Sequence, residues 1–318
     1  MVNLLSQSAL VAAVLLYGVN AVMIPNDAIA TTVKDLLGFD PNLIKDFSIQ
    51  DVQDYTLPEI IYLDDDEVSL LSNGTAMTQI EPSVPSDDAL EQLHKRFIIG
   101  VDDREVWNQA AYPYFNVGRL VWSNGVFCSG ALVGPRHLLT AKHCLISGAT
   151  GTFTPGYDNG ARFGSGRVTL AVTTSAQTPG SPCETKGDWA VMILDSRPGD
   201  DLGYFGVKLP DSGKLDRPLL SHVGYPGDRD GGNRPYRQTG ISAHKRKSFD
   251  CDATGPFYSD ADTAGGQSGG PHWEVDGGLP YIWGTLSISV SSSEWTYAGW
   301  ASGNQLLETV SRLRTEYP

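Results

Sequence analysis

The sequence predicts an all-β protein that ends in a single helix, and three features point that way. Short β-type runs at residues 115–122, 136–140, 168–174, 189–194, 219–224 and 281–290 are separated by clusters of Gly, Pro, Asn and Asp. Many short strands with turn residues between them suit a sandwich or a barrel. Glycine is abundant, 35 of 318 residues, which favours a loop-rich β protein over a helical one. At the end of the chain Leu306, Leu307, Val310 and Leu313 recur at helical spacing, with Glu308, Arg312 and Arg314 on the opposite face.

The N-terminal third reads differently. An apolar run from Leu10 to Leu16 is too short to span a bilayer and ends near small residues, so residues 1–21 are expected to be a signal peptide. Residues 22–96 contain the acidic cluster Asp64-Asp65-Asp66-Glu67, scattered prolines, and neither Cys nor Trp. They also contain Asn73-Gly74-Thr75, the one glycosylation sequon of the chain, which makes Asn73 the expected glycan site. The segment closes on His94-Lys95-Arg96. A dibasic pair at a composition boundary predicts cleavage after Arg96, a mature chain starting at Phe97, a propeptide over 22–96 and a main domain over 97–318.

Charge follows the same boundary. Of the formal net charge of −14, residues 1–96 carry 15 acidic against 4 basic side chains, and residues 97–318 carry 22 against 19. This balance excludes nucleic acid as the first choice of partner. No later run is long enough to cross a membrane, so a secreted, extracellular and monomeric protein is expected. Four cysteines in an exported chain predict two disulfides, among three possible pairings. No cysteine pair has zinc-knuckle spacing, and neither metal nor cofactor is expected.

Three local sequences carry chemistry. They are Thr140-Ala141-Lys142-His143-Cys144, Gly187-Asp188-Trp189-Ala190-Val191 and Gly265-Gly266-Gln267-Ser268-Gly269-Gly270-Pro271. A serine hydroxyl is a weak nucleophile near neutral pH, so it needs a base within hydrogen-bond reach and an acid that orients the base. Ser268 is the expected nucleophile, His143 the base and Asp188 the orienting acid. The glycines let the N–H groups of Gly266 and Ser268 point at a developing oxyanion. Gly-x-Ser-x-Gly also fits an α/β-hydrolase, but that fold runs Ser, acid, His, whereas this chain runs His, Asp, Ser.

At these motifs the chain resembles the trypsin/chymotrypsin superfamily. The resemblance implies a double six-stranded antiparallel β-barrel of chymotrypsin type with a C-terminal helix. Cys128 and Cys144 flank the strand leading to His143, as in that family's histidine-loop disulfide, which leaves Cys183 to pair with Cys251. Residues 99–104 (Ile-Gly-Val-Asp-Asp-Arg), Ala111-Tyr112-Pro113-Tyr114, Gly203-Tyr204-Phe205-Gly206, Gly224-Tyr225-Pro226-Gly227-Asp228 and 262–269 resemble bacterial glutamyl endopeptidases. That narrower resemblance implies a substrate pocket involving Asp262, Thr263, Ser287 and Leu286, the last at the position of the family's pocket histidine. It implies a zymogen-derived serine endopeptidase acting on protein or peptide substrates with an acidic P1 residue. A Lys/Arg or apolar P1 and a non-catalytic binding homologue are the alternatives. Gln267 stands where trypsin has an aspartate, so the activating salt bridge of trypsin has no acceptor in this chain.

Overall fold

The computed structural model describes residues 56–63, 77–85, 102–107, 111–175, 180–291 and 296–318. The expected signal peptide, Asn73 and the Lys95-Arg96-Phe97 processing site lie outside them. Three short strands come first: β1 (Glu59–Leu63), β2 (Gln79–Ile80) and β3 (Glu105–Val106). The first barrel follows, with β4 (Val117–Trp122), β5 (Phe127–Leu132), β6 (His137–Thr140), β7 (Gly151–Pro155), β8 (Gly166–Thr174) and β9 (Ala190–Leu194). Its antiparallel order is β8-β7-β4-β5-β6-β9, and pairing of β8 with β9 closes it.

A connecting strand, β10 (Gly206–Lys208), leads to the second barrel. That barrel holds β11 (Leu220–Gly224), β12 (Tyr236–Ile241), β13 (Phe257–Ser259), β14 (Pro271–Asp276), β15 (Leu279–Ser291) and β16 (Thr296–Ala301). The order is β13-β16-β15-β14-β11-β12, and an antiparallel bridge between Ala243 and Ser259 joins the two ends. Helices are few: α1 (Pro182–Gly187), α2 (Pro198–Leu202) and α3 (Asn304–Glu316). Two disulfides, Cys128–Cys144 and Cys183–Cys251, complete the framework.

Burial on both faces explains why β9 reads as uniformly apolar. Along β9, Ala190, Met192 and Leu194 fill the first barrel, while Val191 and Ile193 enter a second cluster shared with Phe205, Val223, Trp273 and α3. Successive side chains of a strand point to opposite faces, and here both faces are covered. The second barrel packs Phe257, Trp283, Leu286 and Trp300. Strand β5 is buried at all six positions, which hides any period-2 signal in its sequence.

Helix α3 buries Leu306, Leu307, Val310 and Leu313, the face expected from their spacing. Arg314 departs from the expected solvent face. Its guanidinium reaches the carbonyls of Val133, Phe205 (3.0 Å) and Glu81 (2.8 Å), all just outside strand ends, because a long stem carries the charged end past the helix surface. His137, His222 and His272 are fully buried. Burial lowers the first two to about 4, so they are neutral packing residues.

The N-terminal segment is part of this body. Strand β1 lies parallel to β8 over five residue pairs, from Glu59 opposite Leu170 to Leu63 opposite Thr174. Strand β2 lies antiparallel to β10, with Ile80 opposite Val207.

Candidate active site

His143 sits on a 3-10 turn (Lys142–Cys144) directly after β6, and the Cys128–Cys144 disulfide ties that turn to β5. Asp188 follows the last residue of α1, two residues before the start of β9. The local sequence explains the helix. Ser181 accepts the Glu184 N–H, Pro182 opens the first turn, and the Glu184 carboxylate takes the Gly180 N–H. The Cys183–Cys251 disulfide then anchors α1 to the loop after β12.

Asp188 holds His143 twice. One oxygen accepts the His143 backbone N–H at 2.9 Å, and the other lies 2.7 Å from Nδ1. A carboxylate only accepts, so Nδ1 carries the proton and Nε2 of the neutral ring keeps its lone pair. The same Asp188 oxygen accepts the Ser287 hydroxyl at 2.6 Å. Burial on its own would lower the His143 pKa, but the Asp188 charge and hydrogen bond outweigh it and hold the value above the ordinary imidazole range.

The Ser268 loop is clamped to the first barrel. Ser129 on β5 donates its N–H to the Ser268 carbonyl at 2.8 Å, and its hydroxyl to the Gly266 carbonyl at 2.8 Å. The Ser129 hydroxyl also accepts the Tyr225 N–H, and the Ser129 carbonyl accepts the Thr140 hydroxyl. Thr140 belongs to the run that ends in His143. At Gly269 (φ +79°) an added Cβ would lie 2.0 Å from Thr140 Oγ1 and 2.4 Å from the Ser129 carbonyl. Only glycine lets the two chains approach this closely. Gly266 also has positive φ (+91°). Among the described residues the N–H groups of Gly266 and Ser268 donate to no protein acceptor, which leaves both free for an incoming oxygen.

Ser129 was not legible as a site residue, and neither was Arg104. The Arg104 side chain is 6% exposed and forks onto both oxygens of Asp102 (3.0 and 2.9 Å) and both of Asp228 (3.2 and 2.8 Å). It also donates to Gln267 Oε1 at 2.9 Å, which in turn accepts the Ala264 N–H. The residue before Ser268 is therefore held by a cation from the N-terminal side of the domain. The one signal in the sequence was the Asp-Asp-Arg triplet itself, with nothing to say where it docks.

The expected pocket residues separate. Thr263 Oγ1 lies 2.5 Å from Ser289 Oγ, a residue not singled out from the sequence. Asp262 accepts the Asp103 N–H at 3.3 Å, and the Asp103 carboxyl beside it is raised by burial and by the Asp262 charge. Ser287 turns to Asp188 instead of joining Thr263. Leu286 is 2% exposed, in the second-barrel core and not in the cleft. The β15–β16 register is irregular between Leu286 and Ile288, and at this irregularity the Ser287 hydroxyl reaches Asp188 while Leu286 stays in the second-barrel core. Among the described residues no group of three or more His, Cys, Asp or Glu is disposed to hold a metal ion.

Comparison with known proteins agrees with this geometry. A family model described as a trypsin-like peptidase domain matches residues 128–279. The chain is 31% identical over 205 residues to the glutamyl endopeptidase of Bacillus licheniformis, an alignment covering 62% of this chain and 60% of that protein. It is 25% identical over 241 residues to a Bacillus subtilis protein named extracellular metalloprotease, covering 69% of this chain and 76% of that one. A solved Glu endopeptidase in complex with MPD superposes with a TM-score of 0.55 at 23% identity, over 69% of this chain and all of that one, which shows the fold. Residues 128–279 thus match a trypsin-like peptidase domain, and the chain is similar to a glutamyl endopeptidase over about 60% of that protein's length and shares the fold of a solved Glu endopeptidase.

Proposed function

We propose that the chain is a secreted serine endopeptidase in which Ser268 is the nucleophile, His143 the general base and Asp188 the acid that orients it. The double hold of Asp188 on His143, N–H to one oxygen and Nδ1 to the other, carries this reading. Ser268 Oγ attacks the scissile carbonyl while His143 Nε2 takes its proton, and the carbonyl oxygen becomes an oxyanion facing the Gly266 and Ser268 N–H groups. His143 then returns the proton to the leaving amine. Water, deprotonated by His143, releases the acyl group from Ser268. Arg104 and Gln267 hold the loop that presents the two N–H groups.

In the same reading residues 1–21 are the export signal, residues 22–96 the propeptide, and cleavage after Arg96 converts the zymogen into a mature chain that starts at Phe97. Two disulfides suit an oxidising extracellular location. For specificity we favour an acidic P1 residue. The paired hydroxyls of Thr263 and Ser289 offer donors to a carboxylate, and the similar Bacillus licheniformis protein is named for glutamyl cleavage. Asp262 is turned toward the Asp103 N–H, which speaks against its serving as a free anion for Lys or Arg.

Two measurements test this. A serine-directed fluorophosphonate should label the processed protein at Ser268 and fail to label Ser268→Ala; no labelling of correctly processed protein sinks the enzyme reading. Cleavage-site profiling on a peptide mixture should yield cuts mainly after Glu or Asp. Cuts mainly after Lys, Arg or apolar residues would reject the acidic P1.

A further inference from the structure

We infer that residues 56–63 and 77–85 stay bound after cleavage at Arg96, as two strand anchors, a staple across both barrels, so that the processed enzyme is a noncovalent two-piece body. The inference builds on the propeptide reading above, but the contacts that carry it do not depend on that reading.

The first anchor is β1. On β8, strand β9 pairs with residues 168–173 on one side, while β7 covers only Gly166 and Arg167 on the other. Strand β1 occupies the rest of that side, pairing with every residue from Leu170 to Thr174, and the Ser175 N–H donates to the Leu63 carbonyl at 2.9 Å. Leu63 is 3% exposed inside the core cluster shared by the barrels, and Ile61 packs against the same cluster. Ile60 packs against the first-barrel core.

The second anchor is β2 and the residues after it. Strand β10 has β15 on one edge and β2 on the other. The Leu209 N–H donates to the Thr78 carbonyl, and Ser83 and Tyr204 exchange backbone bonds of 3.0 and 2.8 Å. Tyr281 donates its hydroxyl to the Glu81 carboxylate, and Arg314 Nη1 donates to the Glu81 carbonyl at 2.8 Å. The domain surface is shaped to this visitor. At Gly203 an added Cβ would lie 2.3 Å from the Ser83 carbonyl, and its next nearest atoms belong to Pro85.

Removing the segment would bare the edges of β8 and β10 and open the core around Leu63. Unpaired strand edges and buried backbone groups without partners are costly. Each anchor is short, but one chain carries both, so the second binds at high effective concentration once the first is seated. No hydrogen bond or ion pair of the described residues links either anchor to His143, Asp188 or Ser268, so the staple leaves the triad free to work.

The test uses the full chain after signal removal, carrying Ser268→Ala to prevent self-digestion. A recognition site for an exogenous protease replaces residues 92–96. After complete cutting, shown on a denaturing gel, native size-exclusion chromatography should return both pieces in one peak, separable only in denaturant. Amides of residues 170–174 should stay protected from hydrogen exchange. In the Leu63→Asp/Ile80→Asp double variant the pieces should part, those amides should lose protection, and Tm should fall by about 5 °C or more. Separation of the wild-type pieces, with unchanged Tm and protection, overturns the staple. Failure of the natural Lys95-Arg96 site to be processed during secretion overturns the propeptide reading instead, since the engineered cut still probes the staple.

Discussion

Replacing Arg104 with Ala probes the link between the N-terminal side of the domain and the nucleophile loop. The change removes five hydrogen bonds from a side chain that is 6% exposed. The losses are unequal. Asp228 is 46% exposed and returns to water at little cost, and Asp102 keeps Arg229. Gln267 is fully buried and keeps only the Ala264 N–H. Leaving one buried polar group under-satisfied costs about 1–3 kcal/mol, so roughly 2 kcal/mol of stability is expected. In a body of this size that lowers Tm by about 4–8 °C. The functional effect follows from position. Gln267 lies between Gly266 and Ser268, and loss of a single oxyanion donor lowers kcat by about 10²–10³. A loosened donor pair should give a smaller fall, roughly 10- to 100-fold in kcat, with KM little changed. The assay is kcat and KM on a chromogenic peptide, with active sites counted by a covalent titrant so that misfolded protein is excluded. Arg104→Lys should recover only part of the loss, because an ammonium lacks the fork that spans three acceptors. Arg104→Ala and Gln267→Ala should be non-additive. Unchanged kcat per titrated site in Arg104→Ala, or strict additivity with Gln267→Ala, would refute the reasoning.

Three further outcomes are expected. Because Asp188 raises the His143 pKa, the acidic limb of the kcat/KM profile should lie above pH 6.5, activity falling as pH drops through it; Asp188→Asn should lower kcat about 10⁴-fold, and a limb below 6.5 in the wild-type enzyme would contradict the assignment. Ser287→Ala removes a 2.6 Å bond to Asp188, so kcat should fall roughly 10-fold while the cleavage-site profile stays the same; a changed profile would put Ser287 back in the pocket. Joint replacement of Cys183 and Cys251 by Ser opens a cross-link spanning 68 residues, costing about 2–4 kcal/mol by denaturant unfolding, and should lower kcat too because α1 places Asp188.

Several parts of the molecule could be read from the chain because they are local. His143, Asp188 and Ser268 announce themselves through short motifs, and their order along the chain separates this fold from an α/β-hydrolase. Helix α3 follows from the spacing of Leu306, Leu307, Val310 and Leu313, since a helix face repeats within a few residues. Strand β5 passed unnoticed because its fully buried run carries no clean alternation. Glycines at 266 and 269 suggested a tight turn, but not that Thr140 and Ser129 stand against one of them.

What only tertiary structure decided are the meetings between residues far apart in the chain. Arg104 joins Gln267 across 163 positions, Ser129 joins the Ser268 loop, and Ser287 joins Asp188 across 99. Ser289, and not Leu286, meets Thr263, with the register irregularity of β15 lying between those two positions. The acidic N-terminal segment likewise looked separable by composition, yet β1 and β2 find the open edges of β8 and β10. A backbone edge accepts a strand through groups that every residue carries, so no pattern in the sequence marks the pairing. The sequence by itself determined which His, Asp and Ser motifs are candidates and their order along the chain, and the closing of the two barrels determined which distant residues hold them.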